Sequence, residues 1–95
     1  MGKSIVICNK ECWVCKTTLG LHKHHIFEGT ANRKKSEMLG CWVYLCGYHH
    51  NLSKNGVHFN KKLDTELKQL AQKKCMQKYR WNIENFIDIF GRNYL

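Results

Sequence analysis

The chain has 95 residues and a formal net charge of +9, with 16 lysines and arginines against 7 aspartates and glutamates. This length predicts a single domain, residues 1–95, whose small core would benefit from a metal ion or disulfides. Because there is neither a membrane span nor a secretory signal, we expect a cytoplasmic protein whose six cysteines bind metal rather than form disulfides. The charge favours nucleic acid as the partner and makes a membrane the weaker alternative.

The first half of the chain predicts a β-hairpin followed by a short helix. Strand composition occurs in residues 21–27 and again in the aromatic and β-branched residues 41–46. The polar and mostly basic residues 28–40 between them predict a loop. Residues 47–56 predict a helix, and a further short apolar strand is expected within residues 1–11.

The last third, residues 60–95, predicts two amphipathic helices. Asn60 can cap a helix from about 61 to 80, and Asn82 can cap a second helix that Gly91 ends. Apolar residues recur at helical spacing in both segments. We expect these helices to support the core, and a homodimer through them is an alternative role.

Two pairs of metal-type residues enclose the predicted hairpin. Cys12 and Cys15 form one pair and Cys46 and His49 the other, each with a gap of two residues, and 30 residues separate the pairs. Zinc prefers four tetrahedral nitrogen and sulfur ligands, and a two-residue gap lets both members of a pair reach one ion. The sequence therefore predicts a structural zinc that joins the hairpin to the following helix within residues 12–58.

The remaining cysteines are weaker candidates for zinc ligands. Cys8 precedes Cys12 by four residues and is an alternative ligand. Cys41 and Cys75 are expected to be small buried hydrophobic residues.

Five histidines remain once His49 is assigned to zinc: His22, His24, His25, His50 and His58. A histidine of the first strand and His50 of the helix can hold a divalent cation together. An adjacent histidine without metal can act as a general base near neutral pH. Neighbouring residues of a regular strand point to opposite faces, so both can reach one phosphate only where the strand ends or bulges. His22 is expected to be an exposed strand residue.

The segments HKHHIF and VYLCGYHHNLS, framed by Cys12 and Cys15, resemble the HNH endonuclease family, also called ββα-metal or His-Me finger nucleases. The resemblance covers roughly residues 12–58 and is greatest to small HNH proteins of bacteriophages and prophages. It implies an α+β fold with a zinc-stapled ββα-metal core, followed by the two C-terminal helices as support. His24 and His50 would hold the catalytic cation and His25 would activate water, with His58 as a candidate further ligand or phosphate contact.

The activity implied by this resemblance is hydrolysis of DNA phosphodiester bonds, inside a bacterial host cell, with Mg²⁺, Mn²⁺ or another divalent cation. Nearby basic residues would hold the DNA backbone: Lys23, Arg33, Lys34 and Lys35. The family's middle asparagine is not at its usual place, and two alternatives stay open: Asn32 replaces it, or its role is lost. The alternative function is a non-catalytic zinc-stapled nucleic-acid-binding module, although such a module has no need of adjacent histidines.

Overall fold

The structure, a computed structural model, describes residues 4–50 and 56–95. Within these ranges the chain folds as an α+β protein with one two-stranded antiparallel sheet and four helices, which confirms the predicted class. No helix in these ranges is long and apolar enough to cross a membrane. The elements in chain order are β1 (Leu21–His25), α1 (Thr30–Leu39), β2 (Trp42–Cys46), α2 (Gly47–His50), α3 (Lys61–Tyr79) and α4 (Ile83–Phe90).

The two predicted hairpin strands are confirmed. β1 and β2 pair from Leu21 opposite Cys46 to His25 opposite Trp42. Valine, tyrosine and tryptophan favour a pleated surface, and the side chains of β2 are mostly buried. α2 follows β2 without a break, and the part of its predicted helix at residues 51–55 lies outside the described residues.

The strand expected within residues 1–11 is wrong for the described residues 4–11, which form bends instead. Ile5 donates its backbone N–H to Gly40 at 2.9 Å, and the Ser4 hydroxyl donates to the Trp42 carbonyl at 2.5 Å. The apolar side chains of this segment pack on the core without joining the sheet. Apolar composition here reflects packing and not strand pairing.

The loop expected over residues 28–40 is also wrong, because most of it forms α1. Alanine, lysine, glutamate, methionine and leucine are strong helix formers, and they fill much of this segment. Gly40 ends the helix with φ 82°, a left-handed conformation that glycine adopts without strain. Only Ser36 is fully buried in α1, so the segment lacks the apolar periodicity that reveals most amphipathic helices.

Both C-terminal helices and their caps are confirmed. The Asn60 side chain accepts a hydrogen bond from the backbone N–H of Leu63, and Asn82 forms a reciprocal capping box with Asn85. Gly91 ends α4 in the left-handed region, as predicted. On α4, Phe86 and Phe90 are buried, whereas Ile83 and Ile87 are largely exposed. The homodimer stays a prediction.

One hydrophobic cluster joins the hairpin to the C-terminal helices. Phe27, just beyond β1, packs its ring against those of Phe86, Phe90 and Tyr94, with centroids 4.4–5.4 Å apart. Cys41 and Cys75 are fully buried in the same cluster, as expected. Packing at the end of β1 thus fixes the histidines of that strand relative to the rest of the chain.

Candidate metal sites and the cleft at the histidine cluster

The four predicted zinc ligands lie together at the start of α2. Cys46 is the last residue of β2 and His49 the third residue of α2. Cys12 bridges to Tyr44 of β2, whose carbonyl also accepts the backbone N–H of Trp13 at 2.8 Å. These backbone contacts bring the first pair of ligands against the strand that carries the second.

The spacing of the four donor atoms fits one metal ion. The donor atoms of Cys12, Cys15, Cys46 and His49 all lie within 4.8 Å of one another. The Cys15 and Cys46 sulfurs are 3.7 Å apart, and His49 Nδ1 lies 3.2 and 3.8 Å from the sulfurs of Cys46 and Cys12. A tetrahedral ion with Zn–S bonds of about 2.3 Å sets two sulfurs about 3.8 Å apart and sulfur and nitrogen about 3.6 Å apart. This cluster can bind a metal ion such as zinc, whereas the exposed Cys8 is not part of it.

The thiols of this cluster differ in acidity. Burial raises the pKa of Cys12, but backbone N–H groups of Cys15, Cys46 and Val14 outweigh it and lower the pKa to about 6. The backbone N–H of Thr17 lowers the pKa of Cys15, yet burial and the neighbouring sulfurs outweigh it and leave that pKa raised. Cys12 is therefore the more acidic of these two thiols, and metal binding releases the protons that the thiols of the cluster still carry.

A second cluster is formed by His24, His50 and His58, each of which offers one nitrogen within 4.8 Å of the others. Nε2 of His50 lies 3.1 Å from Nε2 of His58. Two nitrogens bound to one ion through bonds of about 2.0–2.1 Å lie roughly 2.9–3.4 Å apart. The structure thus adds His58 to the expected pair of His24 and His50.

Backbone contacts explain how His58 reaches this cluster. The N–H of Val57 donates to the His49 carbonyl at 2.8 Å, and the N–H of His58 donates to the His50 carbonyl at 3.3 Å. These bonds hold residues 57–58 against α2, so that His58 and His50 lie side by side. Helical spacing in the sequence does not place His58, because Gly56 intervenes.

The environment of this cluster favours neutral imidazoles, the form that binds metals. His24 is only 3% exposed, and its Nε2 is buried without a hydrogen-bond partner. Burial, followed by the nearby His50 and His58, lowers the pKa of His24 to about 3. Burial and then His58 and His22 also lower the pKa of His50. A buried nitrogen that lacks a partner costs free energy, and binding an ion would satisfy it.

His22 lies on the same face of β1 as His24 and contacts the cluster at its exposed edge. It is exposed, as expected, but its Nδ1 lies 3.0 Å from Nδ1 of His50. Imidazoles that bind a metal through one nitrogen usually bond through the other, which orients the ring. The exposed histidine is therefore an orienting partner for His50.

His25 lies on the opposite face of β1 from His24. Its Nε2 is 3.0 Å from Oε1 of Glu37 on α1. Because β1 ends at His25, this side chain nevertheless borders the same cleft as the histidine cluster. The cleft has a volume of about 390 Å³ and is lined by Lys23, His24, His25, Glu28, Gly29, Arg33, His50 and His58.

The four basic residues expected to hold DNA differ in whether other protein groups already bind their side chains. Arg33 lines the cleft and Lys34 is exposed beside it. Lys23 pairs with Glu37 at 3.2 Å. Lys35 donates to the Ile89 carbonyl at 2.6 Å, at the end of α4. Among the residues that the structure describes, no hydrogen bond or ion pair engages the side chain of Arg33 or Lys34, so these two are the candidates for phosphate contacts beside the cleft.

Asn32, the candidate for the asparagine that the resemblance implies, does not contact His25. It donates its side-chain amide to the Phe90 carbonyl at 3.2 Å and links α1 to α4. The carboxylate that contacts His25 is that of Glu37, which the sequence does not single out because residues 28–40 predict a loop. Recognising α1 from its helix formers would have placed Glu37 on a helix, but not its partner.

Comparisons with family models, curated proteins and solved structures returned no match.

Proposed function

We propose that this chain is a metal-dependent DNA endonuclease of the HNH type. The observation that carries the proposal is one cleft bordered by a three-histidine cluster and, beside it, by a fourth histidine suited to proton transfer. The cysteine-histidine cluster is separate but adjacent, because its member His49 directly precedes His50 of the histidine cluster in α2. β1, β2 and α2 would be the ββα-metal unit, with α1 as an insertion between its strands.

The donor atoms favour a transition metal over Mg²⁺. Imidazole nitrogens suit zinc, copper, iron and nickel, whereas magnesium prefers oxygen ligands and keeps several waters. Mn²⁺ also prefers oxygen ligands but accepts imidazole more readily than Mg²⁺ does. His24, His50 and His58 offer three nitrogens on one side and leave room in the cleft for water and phosphate. When bound, such an ion supplies Lewis-acid stabilisation of charge on the phosphate and the leaving oxygen.

The residues of the chain supply positioning and proton transfer. His25 takes a proton from water, whose oxygen then bonds to the DNA phosphorus. The bond from phosphorus to the 3′ oxygen breaks, and that oxygen takes a proton from solvent. The products carry 5′ phosphate and 3′ hydroxyl ends. Arg33 and Lys34 would hold neighbouring phosphates without reading bases.

The position of His24 and His25 at the end of β1 supports a shared role for these two adjacent histidines. His24 points into the histidine cluster and His25 towards α1, as strand alternation requires. Gly29, which lines the same cleft, has φ 97° and turns the chain into α1. Both imidazoles can therefore act on one phosphate from two sides of the strand end.

The first test is nicking of supercoiled plasmid by zinc-loaded protein with Mn²⁺ or Mg²⁺. We expect cutting, faster with Mn²⁺, and a loss of about 10²–10⁴-fold in rate for His25→Ala, the usual share of a general base. Glu66→Ala is the control, because this carboxylate is exposed on α3 outside the cleft. Equal cutting by wild type and His25→Ala would contradict the role of His25.

The binding module remains the second outcome of the same experiment. If the wild type cuts neither supercoiled, linear nor branched DNA with either ion, the nuclease proposal is wrong. Salt-sensitive DNA binding by that inactive protein would then identify the non-catalytic module, because phosphate contacts weaken steeply as salt rises.

A further inference from the structure

Glu37 has no role in the mechanism proposed above, although it contacts His25 directly. It is the only acidic residue of α1 and faces the β1 surface opposite the histidine cluster. Strand alternation puts Lys23 and His25 on that same surface, two residues apart. Glu37 contacts both, with Oε1 3.0 Å from His25 Nε2 and both carboxylate oxygens 3.2 Å from Lys23 Nζ.

The carboxylate itself is held in place. Lys23 binds both of its oxygens, and the same ammonium group lies 4.2 Å from the centre of the Trp42 ring. The hydrogen bond from His25, followed by Lys23, keeps the pKa of Glu37 below its usual value. Glu37 is therefore a charged acceptor whose two oxygens already have fixed partners.

A charged acceptor beside one ring nitrogen decides which nitrogen carries the proton. A carboxylate can only accept, so neutral His25 must donate through Nε2 to form this bond. The other nitrogen, Nδ1, then keeps its lone pair. Only a lone pair can take a proton from water, so the tautomer determines which atom of His25 can act as the base.

We propose that Glu37 is the positioning residue of the general base, fixing the Nε2–H tautomer and the ring orientation of His25 so that Nδ1 accepts the proton from water. The inference rests on the proposed nuclease function for the role of His25. In this proposal the carboxylate of Glu37 on α1 orients His25, which is the role for which Asn32 was the candidate. Lys23 holds Glu37 and has no direct part in the reaction.

A purely structural ion pair would behave differently. The Glu37 and Lys23 side chains are about a third exposed, at 32% and 35%. Exposed pairs of this kind contribute roughly 0–1 kcal/mol to stability. Removal of a pair with only a structural role should leave kcat unchanged. A positioning residue instead lowers kcat with little change in KM, and its effect vanishes once the base is removed.

The first readout is the tautomer of His25, measured by ¹⁵N–¹H correlation NMR on the full zinc-loaded chain without added catalytic metal. At a pH where the ring is neutral, we expect the Nε2–H form in the wild type and a mixture of tautomers in Glu37→Ala. Glu66→Ala is the matched control and should keep the wild-type pattern. An Nδ1–H form in the wild type, or an unchanged tautomer in Glu37→Ala, would overturn the proposal.

The second readout is a double-mutant cycle in DNA cleavage. Glu37→Ala should lower kcat by about 10- to 100-fold, within the full contribution of a general base, and change KM less than twofold. Glu37→Gln keeps an acceptor oxygen, and we expect it to recover part of the loss. In a His25→Ala background, Glu37→Ala should have no further effect, and additive losses would show a structural role only.

The two readouts separate the two proposals. A wild type with the Nε2–H tautomer that cuts no DNA would overturn the nuclease function while leaving the Glu37 contact intact. A wild type that cuts DNA and keeps its kcat in Glu37→Ala would overturn the positioning role alone.

Discussion

At the scale of single residues, two adjacent histidines of identical chemistry have opposite environments. His24 is buried among other imidazoles, and its pKa falls to about 3. His25 lies at the strand end, where a carboxylate binds its Nε2. The strand pleat separates the two faces, and different helices cover each face. The first environment favours a metal ligand and the second a base that is oriented by a hydrogen bond.

The histidine cluster predicts a second metal site, distinct from the zinc site. Zinc-loaded wild type should bind one further equivalent of Mn²⁺ or Co²⁺, and His24→Ala or His58→Ala should weaken that binding at least about 100-fold. Loss of even an indirect partner costs 10–100-fold, so loss of a direct ligand should cost no less. Isothermal titration calorimetry measures the affinity.

Two controls accompany this titration. His22→Ala removes only the orienting contact to His50 and should weaken binding by about 10-fold, at the lower end of that range. Glu66→Ala should bind as the wild type does. Unchanged affinity in both His24→Ala and His58→Ala would show that these histidines do not share an ion.

At the scale of elements, α1 adds polar contacts between β1 and α4, two parts of the fold that the hydrophobic cluster already joins. Through Asn32 and Lys35 it binds the last carbonyls of α4, and through Glu37 it binds β1. The Lys35 ammonium lies at the C-terminal end of α4, where the helix dipole favours a cation. α1 therefore fixes the distance between the cleft and the C-terminal helices.

Lys35 and its neighbour Lys34 should consequently differ in their effects on stability. Lys35→Met should lower the free energy of unfolding by about 1–2 kcal/mol, because it removes a charge-assisted hydrogen bond to the Ile89 carbonyl. For a domain of this size that corresponds to a melting temperature lower by roughly 4–16 °C. Thermal unfolding followed by circular dichroism measures the change.

Lys34→Met is the matched control, since this exposed side chain should change stability by less than about 0.5 kcal/mol. The order should reverse in DNA binding, where Lys34→Met should weaken binding and Lys35→Met should not. Equal destabilisation by both substitutions would contradict the link between α1 and α4.

At the scale of the whole molecule, a small core is joined to a cysteine-histidine cluster. Two members of this cluster precede β1 in the sequence, and the other two lie at the end of β2 and in α2. Cys12 and Cys46 are buried members of the hydrophobic cluster as well as candidate ligands. Structural zinc contributes about 10 kcal/mol or more in zinc-finger peptides, while whole domains are stable by roughly 5–15 kcal/mol. The ion should therefore decide whether the chain folds.

Removal of zinc should unfold the protein. A strong chelator should abolish the cooperative thermal transition seen by circular dichroism, and an excess of zinc should restore it. Cys46→Ser should show the same loss even with zinc present. Cys8→Ser is the control, because this exposed cysteine lies outside the cluster. A cooperative transition that persists after complete zinc removal would contradict the structural role.

Much of the local architecture was readable in the chain order. The gaps of two residues brought each pair of candidate metal ligands within reach of one ion, and Asn60, Asn82 and Gly91 marked the helix ends. Such features depend on neighbours within one or two turns, so a linear pattern contains them. The loop assigned to residues 28–40 failed because α1 buries little apolar surface, and periodicity is the signal that such a prediction uses.

Contacts between residues that are distant in the sequence could be identified only from the tertiary structure. Glu37 meets His25 across 12 residues, His58 meets His50 past a glycine, and Lys35 meets Ile89 across 54 residues. None of these pairs has a spacing that local geometry prescribes, because each depends on how segments distant in the sequence pack together. Chain order was sufficient to propose which residues bind metal. The three-dimensional packing assigned their neighbours, which place His58 beside His50 and the carboxylate of Glu37 beside His25.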